Sequence, residues 1–132
     1  MDPITDMFNR IKNAQAVLHP AVEIPFSILK YGIAEILQSH QYIERAEKKQ
    51  KNNRPVIKIT LKYDLFREKK RPALTGFRRI SRPGQRIYSS YRKIKPVKSG
   101  YGLAIISTPN GLLTGQEARK QKIGGEIIGE VW

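Results

Sequence analysis

Ser107-Thr108-Pro109-Asn110-Gly111 groups two hydroxyls and an amide on one short stretch, and these are the residues best suited to chemistry in this chain. Asn-Gly beside Pro is turn chemistry, because Pro presets φ and Asn and Gly tolerate positive φ. Short uncharged donors and acceptors on a turn match the shallow minor groove of A-form RNA, which displays 2′-hydroxyls and sugar edges. Just beyond, Thr114-Gly115-Gln116-Glu117 has the spacing of a capping box. A short helix is therefore expected to start there and to carry Arg119, Lys120 and Lys122. Gly124-Gly125 is expected to end that helix, with Glu126 to Trp132 forming a closing strand. The predicted β–turn–β–α–β unit presents hydroxyls, an amide and three cations, a surface for phosphates and sugar hydroxyls.

The charge points to the same partner. Lys and Arg total 25 against 11 acids, for a net charge of +14 and a pI near 10.3. In a folded chain of this size that balance favours nucleic acid or another anionic surface. Between Arg45 and Lys98 there are 19 Lys or Arg, opposed only by Glu47, Asp64 and Glu68. Tyr88 and Tyr91 sit among these cations, where rings can stack on bases or pack into a core. Arg10 and Lys12 fall off an apolar helical stripe, as solvated charges or as phosphate contacts.

Catalytic arrangements are missing from the pattern. Without Cys there is no disulfide framework, thiolate nucleophile or Cys-based zinc site. His19 and Glu23 are separated by Pro20, which breaks a helical metal pair, and His40 stands alone. Ser89, Ser90 and Ser107 have no His or Lys placed to activate them. Gly100-Tyr101-Gly102 lacks the third Gly of a dinucleotide loop, and a strand follows it where that motif needs a helix. The expectation is a protein with no cofactor, no metal and no enzymatic activity. No apolar run approaches the roughly 20 residues of a membrane span, and Met1-Asp2-Pro3 lacks a hydrophobic signal core. No membrane partner and an internal, reducing compartment are expected.

The elements that must position these groups read as an α+β chain with two lobes. Ile4, Met7, Phe8 and Ile11 form one helical face, with Asp2 as cap and Pro3 at the first helical position. A loop is expected over Asn13–Pro20, then a short strand at Val22–Phe26 whose Pro25 marks an edge or an end. Ser27 caps a second helix with Leu29, Ile33, Ile36 and Leu37 inward. Strands are expected at Tyr42–Ala46 and Ile57–Tyr63, joined by a polar basic turn over Lys48–Arg54. This gives an α-β-α-β-β lobe over residues 1–63 and a charged, aperiodic linker over 64–75. A β-rich RNA-binding lobe with one short helix follows over 76–132. In it, Gly76–Ile80 is a strand, Ser81-Arg82-Pro83-Gly84-Gln85 a type II turn, and Arg86-Ile87-Tyr88 the return strand. Tyr91–Gly100 is a loop or a single helical turn, and Leu103–Ile106 a strand.

Three segments in order resemble the family of small-subunit ribosomal protein eight, in its bacterial or organellar form. They are Asp2-Pro3-Ile4 with Asp6-Met7, Arg10-Ile11 and Asn13-Ala14, then Ile80-Ser81-Arg82-Pro83-Gly84 with Arg86-Ile87-Tyr88. The third is the C-terminal run through Glu117-Ala118-Arg119-Lys120 and Gly124-Gly125-Glu126 to Val131-Trp132. The resemblance implies an RNA-binding ribosomal protein that binds the central domain of 16S-type rRNA and helps assemble the platform, in a bacterial cytoplasm or an organelle. It implies small-subunit proteins five and twelve as neighbours, and for some members a similar helix in their own operon's messenger RNA. Carried over by position, it implies RNA contacts at Ser107, Thr108, Asn110, Gly111, Arg86, Tyr88, Gly124, Gly125 and Glu126, with Asn13, Lys30 and Arg54 from the first lobe. Two positions depart: Pro109 replaces the second Ser of the family's usual Ser-Thr-Ser loop, and Gly115 stands where Asp is common. The rival readings are a free translational repressor and a small RNA-processing enzyme. The enzyme would need a metal cluster or an acid–base pair.

Overall fold

In a computed structural model, which describes residues 2–132, the chain is α+β, and it divides into two units. One is Pro3–Leu74; the other is Thr75–Trp132 together with Asp2.

The first unit begins with helix α1 (Pro3–Ala16), which buries Ile4, Met7, Phe8 and Ile11. Ala14 and Gln15 continue that buried stripe, so the helix runs on through Asn13, where a loop was expected. It stops at Leu18, whose φ of 56° is left-handed. Strand β1 (Ala21–Pro25) leads to helix α2 (Ile28–Ser39), capped by Ser27 Oγ accepting from Lys30 N at 3.1 Å. The buried face of α2 is Lys30, Ile33, Ala34 and Leu37, not the expected set with Leu29 and Ile36. Ala34 is fully buried and Lys30 is only 8% exposed, which a long aliphatic stem allows without burying the charge far from water.

Strands β2 (Ile43–Lys51) and β3 (Arg54–Leu61) complete an antiparallel sheet in the order β1-β3-β2. Pro25 therefore ends an edge strand, where its missing N–H breaks no central ladder. Ile57, Ile59 and Leu61 alternate inward and are buried. Lys48–Lys51 is strand rather than turn, because Asn52 and Asn53, at φ of 52° and 61°, make the whole corner. Two left-handed residues are what a two-residue hairpin of matching twist requires. The expected linker likewise folds as a ribbon, β4 (Tyr63–Phe66) and β5 (Lys69–Pro72), turning at Arg67 and Glu68 with φ of 51° and 66°.

The second unit holds β6 (Phe77–Arg79), β7 (Tyr88–Ser89), β8 (Leu103–Thr108), β9 (Gly111–Thr114), helix α3 (Gly115–Gln121) and β10 (Gly125–Val131). Two short 3-10 turns, Tyr91–Lys93 and Lys98–Gly100, lie between β7 and β8. The sheet order is β6-β10-β8-β9, and β7 also pairs with β10. The segment after Pro83-Gly84 thus pairs with the closing strand rather than returning along β6. Its turn is held by Arg82 N donating to Gln85 O at 3.0 Å and Gln85 N to Arg82 O at 2.9 Å. Gly84 has no positive φ, so the turn is not type II. Under α3, Ile94, Val97, Ala104, Ile106 and Ala118 form the core, with Leu113, Ile127 and Trp132 packed against it. Each large apolar side chain there, fully buried, stabilises the unit by about 1.5–3 kcal/mol before entropy is counted. Among the described residues, no helix is long and apolar enough to cross a membrane.

Candidate nucleic-acid interface

The capping box forms as expected: Thr114 Oγ1 accepts from Glu117 N at 3.2 Å, and Glu117 Oε1 accepts from Thr114 N at 3.0 Å. It fixes where β9 ends and hence how α3 lies on the sheet. Lys122, at φ 58°, is the left-handed residue that stops α3; Gly124 and Gly125 do not. Those glycines are needed for another reason. A Cβ on Gly125 would run into the Ser107 carbonyl oxygen and come within 2.9 Å of its carbon. A Cβ on Gly124 would collide with the Ser89 carbonyl oxygen and reach 2.9 Å from Ser90 Cα. The bare Gly-Gly backbone therefore threads between β8 and the chain following β7.

That close passage brings the predicted residues together. Ser107 on β8 faces Glu126 on β10, and Glu126 faces Tyr88 on β7. Directly opposed residues point to the same side of a sheet. Ala104 and Ile106 of β8 and Ile127 of β10 belong to the core beneath α3. By alternation, Ser107, Glu126 and Tyr88 form a row on the opposite face. Tyr88 is 70% exposed. Arg86 joins the row through an Nη1 to Glu126 Oε2 contact of 3.3 Å. An exposed pair of this kind adds little stability, but it orients a guanidinium next to a phenol and a hydroxyl. Buried Ser81 sets the approach: its Oγ accepts from Ile87 N at 2.8 Å and donates to Ile87 O at 3.2 Å.

At the end of β8, Pro109 and Asn110 form the corner and Gly111 takes φ 101°. The Thr108 hydroxyl donates to Gly111 O at 2.7 Å and accepts from Asn110 N at 3.1 Å, so it serves the turn first. Ser107 lies in the strand itself, not in the loop. Arg119 is likewise occupied, with Nη1 donating to Ile94 O at 3.1 Å, whereas Lys120 and Lys122 are exposed. These three ride on the helix covering the other face, so they form a separate set of cations.

Asn13, Lys30 and Arg54 belong to the first unit. Asn13 is exposed on α1, and Arg54 opens β3 opposite Lys51. Lys30 is only 8% exposed. Burial pushes its ammonium below the ordinary lysine value, with Arg10 adding to that shift and Asp6 opposing it. Among the described residues, no three acids or histidines converge as a metal-ligand group. Ser89 and Ser90, flanking the Gly124 passage, had no sequence signal beyond their place beside Tyr88.

The family described as Ribosomal protein S8 matches residues 2–132. The chain is similar to proteins named small ribosomal subunit protein uS8. One, from Staphylococcus saprophyticus, is 43% identical over 99% of this chain and 97% of that protein. Another, from Pelagibacter ubique, is 45% identical over 99% of this chain and 97% of that protein. A third, from Kosmotoga olearia, is 43% identical over 99% of this chain and 98% of that protein. With a capping box, a Gly-Gly passage and a hydroxyl–turn strand in one unit, and with these relatives matching nearly end to end, the chain belongs to the ribosomal protein S8 family, whose members are structural ribosomal proteins and not enzymes.

Proposed function

We propose that this ribosomal protein binds the central domain of 16S-type rRNA through the second unit and helps assemble the small-subunit platform. The observation that carries the reading is the row Ser107–Glu126–Tyr88, extended by Arg86 and flanked by the Thr108–Gly111 turn. A-form RNA is read mostly through its wide minor groove, where 2′-hydroxyls both donate and accept. Ser107 donates or accepts, Glu126 accepts from sugar hydroxyls, and the exposed Tyr88 ring packs on a ribose or a base. Arg86, aligned by Glu126, reaches a phosphate at the groove edge, and Lys120 and Lys122 add long-range attraction. The relatives' names support a small-subunit location. The neighbouring small-subunit proteins five and twelve are proposed from the family resemblance alone.

Footprinting on purified small-subunit rRNA, combined with co-sedimentation, tests this. The reading expects protection confined to one structured segment of the central domain and co-migration with small subunits after a salt wash. Protection spread evenly over the RNA, or release of the protein by the wash, would count against it.

A further inference from the structure

The β4–β5 ribbon takes no part in the interface described above, yet it carries Arg67, Lys69, Lys70 and Arg71 within ten residues that also hold Asp64 and Glu68. Arg67, Lys69, Lys70 and Arg71 make no ion pair among the described residues. The β2–β3 hairpin differs: there Lys51 pairs with Glu23, and Arg45 and Lys49 both pair with Glu47. The ribbon also exposes apolar surface, with Leu65 75% and Phe66 48% accessible. The Arg71 guanidinium lies 4.4 Å from the Phe66 ring centroid and that of Arg67 lies 5.2 Å away. Lys69 is directly opposite Phe66 across the ribbon. The root is fixed, since the Tyr63 hydroxyl donates to His19 O at 2.6 Å and Ala73 N donates to Lys62 O at 2.9 Å.

We infer that this ribbon is a second RNA site, which holds an unpaired strand by stacking one base on the Phe66–Arg71 platform while Arg67, Lys69 and Lys70 contact its phosphates. Single strands are held by this combination: an aromatic or guanidinium plane for the base and cations tracking the backbone. A duplex fits less well, because a ring flanked by guanidinium groups offers a stacking plane rather than a groove reader. The inference rests on the reading that the chain binds RNA but names a separate site and a separate ligand form. Its rival is protective: cations on a two-stranded ribbon discourage edge-to-edge pairing whether or not RNA binds.

The test uses the full chain and a fluorescein-labelled oligouridylate, titrated over a salt series. Phe66→Leu keeps the charge, so it should weaken binding at least about fivefold with an unchanged salt slope. Replacing Arg67, Lys69, Lys70 and Arg71 together with Gln should lower the slope by about 2 units, at about 0.7 for each of the three phosphates contacted on a single strand. Replacing Arg45, Lys49, Lys51 and Lys58 with Gln removes equal charge and should cost less affinity. Parental binding by Phe66→Leu, or equal losses in the two quadruple variants, would overturn the inference. Ser107→Ala, titrated with structured small-subunit rRNA, reports on the other site: oligouridylate results as expected leave the ribbon standing even if Ser107→Ala binds normally.

Discussion

Gly125→Ala should damage stability and RNA binding together. The added Cβ meets the Ser107 carbonyl oxygen, lies 2.9 Å from its carbon and 3.2 Å from Thr108 Cα. All three atoms are backbone, so no side-chain rotation relieves the overlap. β10 must move away from β8 at the Glu126–Ser107 pair. Overpacking of this kind costs about 1–3 kcal/mol, and breaking a ladder hydrogen bond at the strand end adds about 0.5–1.5 kcal/mol. At about 3–5 °C per kcal/mol for this chain length, the melting temperature should fall by roughly 5–20 °C. Affinity for structured rRNA should fall about tenfold or more, since the row that includes Ser107 loses its register. Gly84→Ala is the comparison: nothing lies within 4 Å of its Cβ and its φ is ordinary. It should be neutral or gain about 0.4–1 kcal/mol through the unfolded chain. Calorimetry and fluorescence titration of both variants check this. A Gly125→Ala protein that melts and binds like the parent would refute the close passage.

Ser81→Ala strands the Ile87 N–H, while Ile87 O keeps its bond from Ile127 N at 2.9 Å, and should cost about 1–3 kcal/mol in urea unfolding, with Arg86 and Tyr88 losing their alignment. Parental stability would show that water replaces the hydroxyl. Lys30→Met tests the buried ammonium. Because burial lowers the folded value, the unfolded chain binds the extra proton in the alkaline window below 10.5, and there parental stability rises with pH. The variant should be relatively stabilised at neutral pH and lose that advantage as pH approaches 10.5; a gap independent of pH would contradict the burial. Glu68→Gly relieves a left-handed non-glycine at φ 66° and should slow amide exchange of Phe66 and Lys69 several-fold. Unchanged exchange would mean that the ribbon's opening is not governed by its turn.

Legibility followed burial. The α1 stripe, the Ser27 cap, the Thr114–Glu117 box and the alternating Ile57, Ile59 and Leu61 each join a local pattern to a buried face, and each was readable. The outer end of the β2–β3 hairpin and the whole β4–β5 ribbon were not, because hydrophobic alternation vanishes where a strand has little or no core side. Lys48 to Lys51 is exposed throughout, and the β4–β5 ribbon buries no residue fully. Their corners are Asn52-Asn53 and Arg67-Glu68, without the glycine that usually announces such a turn. At the interface, the residue types were readable from the hydroxyls and the Gly-Gly pair, but their roles were not. Gly124-Gly125 looked like a helix stop because close backbone approach leaves no mark of its own in sequence, while Lys122 bears the left-handed conformation. Ser107 and Thr108 looked equivalent, yet only the Thr108 hydroxyl is engaged within the turn.

That last difference makes Ser107→Ala the most direct measurement, since it removes one hydroxyl without touching the turn or any charge. Its affinity for the structured central-domain rRNA should fall about three- to tenfold, the equivalent of one hydrogen bond, with the salt slope unchanged. Lys120→Gln with Lys122→Gln should do the reverse, lowering the slope by about 0.9 for each duplex phosphate that is no longer neutralised. Parental affinity in Ser107→Ala, with circular dichroism showing an intact fold, would contradict the assignment of this face to RNA.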